Sequence, residues 1–599
     1  MKKNYSLLVG LTLSAFGLMA QNPTLDFVST YRTGIFDGGA AEIVSYDAAS
    51  QKLVFTNADA NTVEILDFSN PNSLTSVAVV SLDTYGDGVN SVSVYNGVMA
   101  VAVEDDPKQD PGVIVFFDMN GTFISQVTVG ALPDMVTFTP DGNKVLVANE
   151  GEPNDDYTVD PDGTISIIDV SGGVANLTQA DVTTLDFSGF SAANYPDVRV
   201  FGPNADLAAD VEPEYITVSD DSQTAYAVMQ ENNALAVIDL SNNTITALLP
   251  LGFKDHSIAG NGIDASDRDD MINITTHPVF GMYMPDAIAY GNINGQGYIF
   301  TANEGDARDY SGFSEEERIK DITLDSTVFA NVDSLQDDEV IGRLNITTTM
   351  GDTDGDAEYE ELYAYGTRSF SVWNATTGAL VWDSGDQFEQ ITSQEYPNDF
   401  NANNDENDSF ESRSDNKGPE PEAVEFAVIN GIPYALVGLE RIGGIMVYDV
   451  SNPTNPQFVL YTNNRDFSVV NAELPAGGTN DSIGDLGVED ILFIPASEGP
   501  NGQAYVVTSN EVSGTISVFQ PNNFTVSVSE ETVNSFVVYP NPAKGDEIRV
   551  SVEGDYTIYD LSGRMVGSAN QTNRIDISEL VPGTYVIRSA DTTQMFIRQ

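Results

Sequence analysis

Cysteine is absent from this chain of 599 residues, and histidine occurs only as His256 and His277. Without thiols there is no disulfide, no thiolate zinc site, no iron–sulfur cluster and no cysteine nucleophile. Two histidines are too few for an imidazole-rich transition-metal centre. Basic residues are scarce: 24 Lys and Arg face 91 Asp and Glu, a formal net charge of −67. Nucleic acid and anionic membrane surfaces both need positive patches, so neither suits such a chain. No segment after the N-terminus offers the roughly 20 apolar residues of a transmembrane helix. A nucleophile elbow, a P-loop and a Ser/His/Asp spacing are also missing.

What is there is turn-rich and globular, with 41% hydrophobic residues, 50 Gly and 27 Pro. A chain this long exceeds one ordinary core, so several domains or a large repeat fold are expected. The acidity has two readings. Carboxylates spread over the surface confer solubility in a salty extracellular medium. Carboxylates gathered in loops are what a divalent cation needs. At the start, Lys2 and Lys3 precede an apolar stretch from Leu7 to Met19 that closes on Ala20. That pattern reads as a removable signal peptide over residues 1–20 and places the remaining chain outside the cytoplasm.

One unit recurs seven times between Glu42 and Glu511. A turn ends in an acidic or amide residue, an apolar strand follows, and a second apolar strand closes on another acid. The openings are Glu42, Asn90, Asp134, Glu214, Asp286, Glu422 and Glu489; the closings are Asp59, Glu104, Glu150, Glu231, Glu304, Glu440 and Glu511. Antiparallel neighbours begin and end on one edge of a sheet, so each unit sets both residues at the same end. A third strand often ends in Asp after an aliphatic pair, as at Asp169, Asp239 and Asp449. Tandem four-stranded units of about 40 residues plus insertions predict an all-β fold, a seven-bladed β-propeller over residues 24–520. The last unit has only three strands of its own. The strand-like segment Thr24–Tyr31 is expected to supply the fourth and close the ring. Trp373 and Trp382 are expected to pack within the fifth unit.

Three insertions interrupt the repeat, at residues 251–283, 306–361 and 386–418. Long loops of this kind are functional or disordered. The last, with Asn and Asp clustered from Asn398 to Asn416, reads as disordered. After a linker at 521–534, residues 535–599 carry their own hairpins and read as a small β-sandwich.

That tail holds Tyr539-Pro540-Asn541-Pro542, Tyr559-Asp560-Leu561-Ser562-Gly563 and Gly583-Thr584-Tyr585. It resembles the C-terminal sorting domain of the type IX secretion system of Bacteroidota, although Arg598 follows Ile597 where the family has Lys before an aliphatic residue. The resemblance implies partnership with that secretion machinery and a secreted or outer-surface location in a Gram-negative cell. The rest of the chain carries Leu132-Pro133-Asp134-Met135-Val136, Ala148-Asn149-Glu150-Gly151-Glu152-Pro153 and Ala302-Asn303-Glu304-Gly305-Asp306-Ala307-Arg308. With Gly351–Asp356 and Gly366–Trp373, these stretches resemble the choice-of-anchor I domain. That resemblance implies an extracellular propeller; relatives labelled alkaline-phosphatase-like or phytase-like stand beside others described only as surface glycoproteins.

Acids converging on a channel repel one another, which raises their pKa values or demands a cation. Calcium accepts six to eight oxygens in flexible geometry. The candidate ligands are Asp134, Glu150, Glu152, Glu214, Asp286, Glu304, Asp306, Glu422 and Glu489. The competing reading is that these acids accept backbone N–H bonds and fix turns. A second candidate is Asp352-Thr353-Asp354-Gly355-Asp356, whose Asp352, Asp354 and Asp356 alternate around a Gly turn as in a calcium loop. Two functions remain open. One is a secreted or surface binding propeller whose pocket holds calcium and an anionic small molecule or cell-surface ligand. The other is a calcium-dependent phosphohydrolase, with Glu304 as general acid and Arg308, Arg368 or Arg441 as the ester clamp.

Overall fold

A computed structural model describes residues 22–203, 205–469, 482–524, 538–560, 564–589 and 593–599. The signal-peptide segment lies outside these residues, as does the linker from residue 525 onward. The chain divides into two units, residues 1–524 and 525–599.

In the first unit the described residues form seven four-stranded antiparallel sheets. Their first strands are Val44–Asp47, Gly88–Tyr95, Pro133–Phe138, Ile216–Val218, Ile288–Ile293, Pro421–Ile429 and Val488–Ile494; we number the sheets 1 to 7 in that order. Each first strand packs against the first strand of the next sheet, and that of sheet 7 packs against that of sheet 1. Thr24–Arg32 pairs antiparallel with Thr515–Asn522 and is the outer strand of sheet 7, as the sequence suggested. That last strand runs two residues into the expected linker. Phe524 beyond it is buried, its ring 5.1 Å from Tyr434.

The second strands explain why the sheets stack. Leu53, Val54 and Phe55 are fully buried, as are Val145 to Ala148, because a neighbouring sheet covers each face. Burying one such large apolar side chain contributes about 1.5–3 kcal/mol. The outer strands, such as Thr75–Ser81, face solvent on one side and leave Val77 and Val79 exposed. Trp373 packs against Tyr283, and Trp382 reaches out of sheet 5 to Tyr448 of sheet 6.

The first two insertions fold together. Phe253–Asp255, Phe280–Met282, Tyr363–Ala364, Asn345–Thr347 and Glu316–Arg318 form one five-stranded side sheet. It covers its own core, which includes Ile263, Leu324, Leu344 and Ile346. The third insertion corrects the expectation of disorder. It carries the helix Gln387–Glu395, and Phe400, Asn401, Asn404 and Asn407 are buried. Polar contacts replace the apolar residues it lacks: Arg465 donates to Asn407 Oδ1 at 3.0 Å and to the carbonyls of Asn403 and Glu406 at 2.7 Å each.

In the second unit the strand Glu547–Asp560 pairs with Met565–Asp576 along its length, and with Val538–Tyr539 and Gly583–Arg588 on its other edge. Ile548, Ile558, Ile575, Ile587 and Phe596 form its core.

Candidate functional site

Antiparallel alternation sorts the turns of every sheet onto two edges. The start of a first strand and the end of a second strand share one edge, seen in the pairs Gly88–Glu104, Pro133–Asn149, Pro421–Leu439 and Val488–Asn510. Fourth strands end there too, so all three insertions leave from this edge, the mouth. Third strands end on the opposite edge. There Asp67, Asp118, Asp169 and Asp239 accept backbone N–H bonds from the turn that follows. Hydrogen bonds from the side chains of Ser69, Ser171 and Ser241, then from these backbone groups, hold Asp67, Asp169 and Asp239 below the usual range, and the Thr122 N–H does the most for Asp118.

At the mouth the acids behave oppositely. In sheets 2, 3, 6 and 7 the opening residue falls inside a register shift, between Val89 and Ser91, Pro133 and Met135, Pro421 and Val424, and Val488 and Asp490. A bulge leaves its extra residue out of the ladder and re-aims its side chain. Asn90, Asp134 and Glu489, from three of these bulges, line one cavity of about 210 Å³ with Tyr215 and with Glu42 and Asp286, which precede the first strands of sheets 1 and 5. Burial, then repulsion from Glu511 and Asp134, pushes Glu42 up to about 8. Burial, then Glu104, pushes Asp134 up to about 7. Burial and neighbouring carboxylates hold Glu214, Asp286, Glu422 and Glu489 well above the ordinary range. Glu214 Oε2 and Glu422 Oε2 are buried with no hydrogen-bond partner. Asn90 is the exception that fits: its amide donates to Glu104 Oε2 at 3.3 Å and to the Pro133 carbonyl at 3.2 Å.

The closing residues follow a division of labour. Asn149 ties the second strand of sheet 3 to Thr164 and Ser166, and Asn303 ties that of sheet 5 to Ser369 and Ser371. Each holds the strand end while the next residue, Glu150 or Glu304, is left for the mouth.

Two clusters, each of two closing acids and a glutamate two residues ahead of an opening one, differ in their counter-ions. Glu304, Glu420 and Glu440 each bring a carboxylate oxygen within 4.8 Å of the others. Lys417 bonds Glu304 and lies 3.2 Å from Glu420; Arg441 lies 2.9 Å from Glu420 and 3.1 Å from Glu440; Arg413 lies 2.6 Å from Glu420. Burial would raise Glu420, but Lys417, Arg441 and Arg413 outweigh it and hold the carboxyl at about 2. This cluster is neutralised by the protein itself. Glu150, Glu212 and Glu231 also bring their oxygens within 4.8 Å of one another. Here the cation in direct contact is Arg308, bonded at 2.8 Å to both Asp210 and Glu212 Oε2. Glu212 Oε1 and Glu231 Oε2 remain buried without partners.

The other sequence candidates are dispersed. Glu152 bonds Lys108 and accepts from Tyr310 at 3.0 Å. Asp306 is more than half exposed and lies 4.0 Å from Lys417. Asp352, Asp354 and Asp356 share an exposed loop with one oxygen each within 4.8 Å. The Asp352 carboxylate there accepts the backbone N–H groups of Gly355, Asp356 and Ala357 at 2.7, 3.2 and 3.0 Å. Arg368 is buried against Glu389 at 2.6 Å and the carbonyls of Ser414 and Asn416 at 2.8 Å. His256 and His277 are buried, and burial lowers them to about 3 and about 4, so both are neutral. The sequence reading left out Glu212 as a ligand, noted Glu231 only as a closing residue and missed Glu420. A signal existed: Glu212-Pro213-Glu214 and Glu420-Pro421-Glu422 are the same tripeptide. In each, the first Glu meets arginine and the second keeps an unpartnered oxygen.

A ring of four-stranded sheets with an acidic mouth defines a β-propeller. Residues 42–453 match the choice-of-anchor I domain, and the chain belongs to that family. Residues 537–599 match the secretion system C-terminal sorting domain, which marks the chain for type IX secretion to the surface or exterior of a Bacteroidota cell. No helix of the described residues is long and apolar enough to cross a membrane. Gigasin-3a of Magallana gigas is 32% identical over 212 residues, covering 34% of this chain and 73% of that protein. A mesenchyme-specific cell surface glycoprotein of Strongylocentrotus purpuratus is 26% identical over 337 residues, covering 49% of this chain and 42% of that protein. Among solved structures, Kuenenia stuttgartiensis hydrazine synthase has a TM-score of 0.41 at 11% identity, covering 82% of this chain and 97% of its own. The β-propeller domain of Myceliophteria thermophila Cps50 (Swd1) has a TM-score of 0.40 at 9% identity, covering 83% and 99%.

Proposed function

We propose that the protein is a seven-bladed surface propeller, carried by a small β-sandwich tail, that binds calcium in its acidic central pocket and acts as a binding protein. One observation carries this reading. Four carboxylates line a single cavity of about 210 Å³, and burial with mutual repulsion keeps them protonated well above their ordinary range. A group so placed holds a proton or a cation. Its charged ligands are all carboxylate oxygens, which select a hard ion, and the cavity has room for several waters of its hydration shell.

The phosphohydrolase reading has less support. Arg308 and Arg368 each sit in a buried ion pair, Arg441 is paired with the buried Glu420 from a half-buried position, and Lys417 is engaged by Glu304 and Glu420. A phosphate ester would have to break one of these pairs to find a clamp. Calorimetric titration of calcium into chelator-stripped protein tests the binding reading. Glu489→Gln and Asp286→Asn are expected to weaken the cavity ion at least tenfold, with no hydrolysis of p-nitrophenyl phosphate at any calcium level. Hydrolysis abolished both by chelation and by Glu304→Gln would overturn it in favour of the enzyme.

A further inference from the structure

We propose that Glu150, Glu212 and Glu231 hold a second calcium ion, distinct from the one in the central cavity. One carboxylate oxygen from each lies within 4.8 Å of the other two. Ligand oxygens sit about 2.4 Å from calcium, so two on opposite sides are about 4.8 Å apart and one ion can touch all three. Magnesium demands about 2.1 Å and near-ideal octahedral geometry, which fits less well. The ligands are carboxylates without nitrogen or sulfur, which disfavours zinc.

Two orphaned atoms provide independent support. Glu212 is 1% exposed and Glu231 5%, yet Glu212 Oε1 and Glu231 Oε2 accept no hydrogen bond. Leaving a buried acceptor unpaired costs about 1–3 kcal/mol, and more when it is charged. Arg308 does not relieve this. Its Nε and Nη2 both point at Glu212 Oε2, at 3.1 and 2.8 Å, and its Nη1 is held by Asp210. Glu150, Glu212, Glu231 and Asp210 therefore face one guanidinium, with Glu214 adding a further carboxyl beside Glu231 and Lys108 acting on Glu150.

The local structure is built to keep the trio together. Glu231 opens the tight turn after the second strand of sheet 4, and its carbonyl accepts from Arg199 at 2.7 Å. The next residue, Asn232, accepts the Glu212 N–H at 3.1 Å and donates to the Asp210 carbonyl at 2.8 Å. One amide thus pins the segment 210–212 beside the turn. Glu150 arrives from sheet 3 on a strand end fixed by Asn149. An ion here would join sheet 3, sheet 4 and the Arg308 insertion of sheet 5 at the mouth.

This inference deepens the calcium reading but does not need the cavity to be filled. The test is calcium stoichiometry by calorimetry on the chelator-stripped full chain, paired with terbium luminescence excited through tyrosine. Tyr310 lies near enough for the charges of all three carboxylates to act on it, with its hydroxyl on Glu152 at 3.0 Å. The expected result is that Glu231→Gln and Glu212→Gln each remove one ion from the titration, while Glu489→Gln does not remove that ion. Sensitised terbium emission should fall in Tyr310→Phe and Glu231→Gln. In chelator, Glu231→Gln should melt no lower than the parent, because it relieves repulsion; a purely structural role would lower it. If that variant misfolds, the half-buried Glu150→Gln carries the same expectation. Full stoichiometry and full emission in both Glu231→Gln and Glu150→Gln would overturn the second site. Unchanged stoichiometry in Glu489→Gln alone would overturn only the cavity ion.

Discussion

Lys417 bridges Glu304 at the end of a strand in sheet 5 and Glu420 at the start of sheet 6, hydrogen-bonding the first and lying 3.2 Å from the second. All three side chains are at least 89% buried, with relative exposures of 10%, 11% and 0%. Breaking a buried pair by removing one partner leaves an uncompensated charge and costs about 3–5 kcal/mol. Lys417→Met is expected to lower unfolding free energy by about that much in urea melts. The double variant with Glu304→Gln should recover part of the loss. Additive losses in that cycle would show that the pair does not couple.

Glu304 reaches the mouth on a close backbone crossing. A Cβ on Gly366 would lie 2.0 Å from the Glu304 carbonyl oxygen, and one on Gly305 would lie 2.0 Å from the Gly366 nitrogen. Both glycines also have positive φ, 67° and 88°. Gly366→Ala therefore meets a clash and an unfavourable conformation together. The expected cost is more than about 1 kcal/mol, with chemical-shift changes at Glu304 and Lys417. Native stability with unchanged shifts would mean that the crossing is looser than drawn.

The acid–strand–strand–acid pattern was readable because it needs only antiparallel alternation to set both ends on one edge. Glu42, Asp134, Asp286 and Glu489 meet at one cavity for that reason. The distribution of counter-ions was not readable. Arg308 comes from an insertion 98 residues past Asp210, and Lys417 from another, 113 residues past Glu304. No local pattern records such a pairing. The segment 386–418 misled because its composition resembles that of a disordered chain. Its buried asparagines reach partners far along the sequence, as when Asn404 donates to Glu440 Oε1 at 2.6 Å.

Ring closure depends on one N-terminal strand. Thr24–Arg32 pairs along the edge of Thr515–Asn522, and Leu25 is buried with Phe519 and Ile491. Deleting residues 24–32 would expose a long apolar strand edge ready to pair with another molecule. Loss of the single cooperative melt, and dimers or aggregates in size-exclusion chromatography with light scattering, are expected. A monomer with unchanged melting would show that the remaining three strands close the ring alone.

The mouth acids predict an unusual pH dependence. Glu42 and Asp134 rise from ordinary values of 4.5 and 3.8 to about 8 and about 7 in the folded state. Between pH 4 and 8 the folded chain then binds more protons at these groups than the unfolded chain does. Stability at these positions therefore falls as pH rises, since the slope follows the protons bound by the unfolded state minus those bound by the native one. Asp169 and its counterparts on the opposite edge have lowered values and contribute the reverse slope, at lower pH, as they protonate. Chelator-treated protein should thus gain stability on going from pH 8.5 to pH 6. With calcium present the slope should flatten or reverse, because a bound cation keeps the carboxylates ionised and its binding releases their protons. Urea melts at both pH values, with and without calcium, measure the difference. A chelated protein that is more stable at pH 8.5 than at pH 6 would mean the mouth carboxylates are ionised and compensated without any metal.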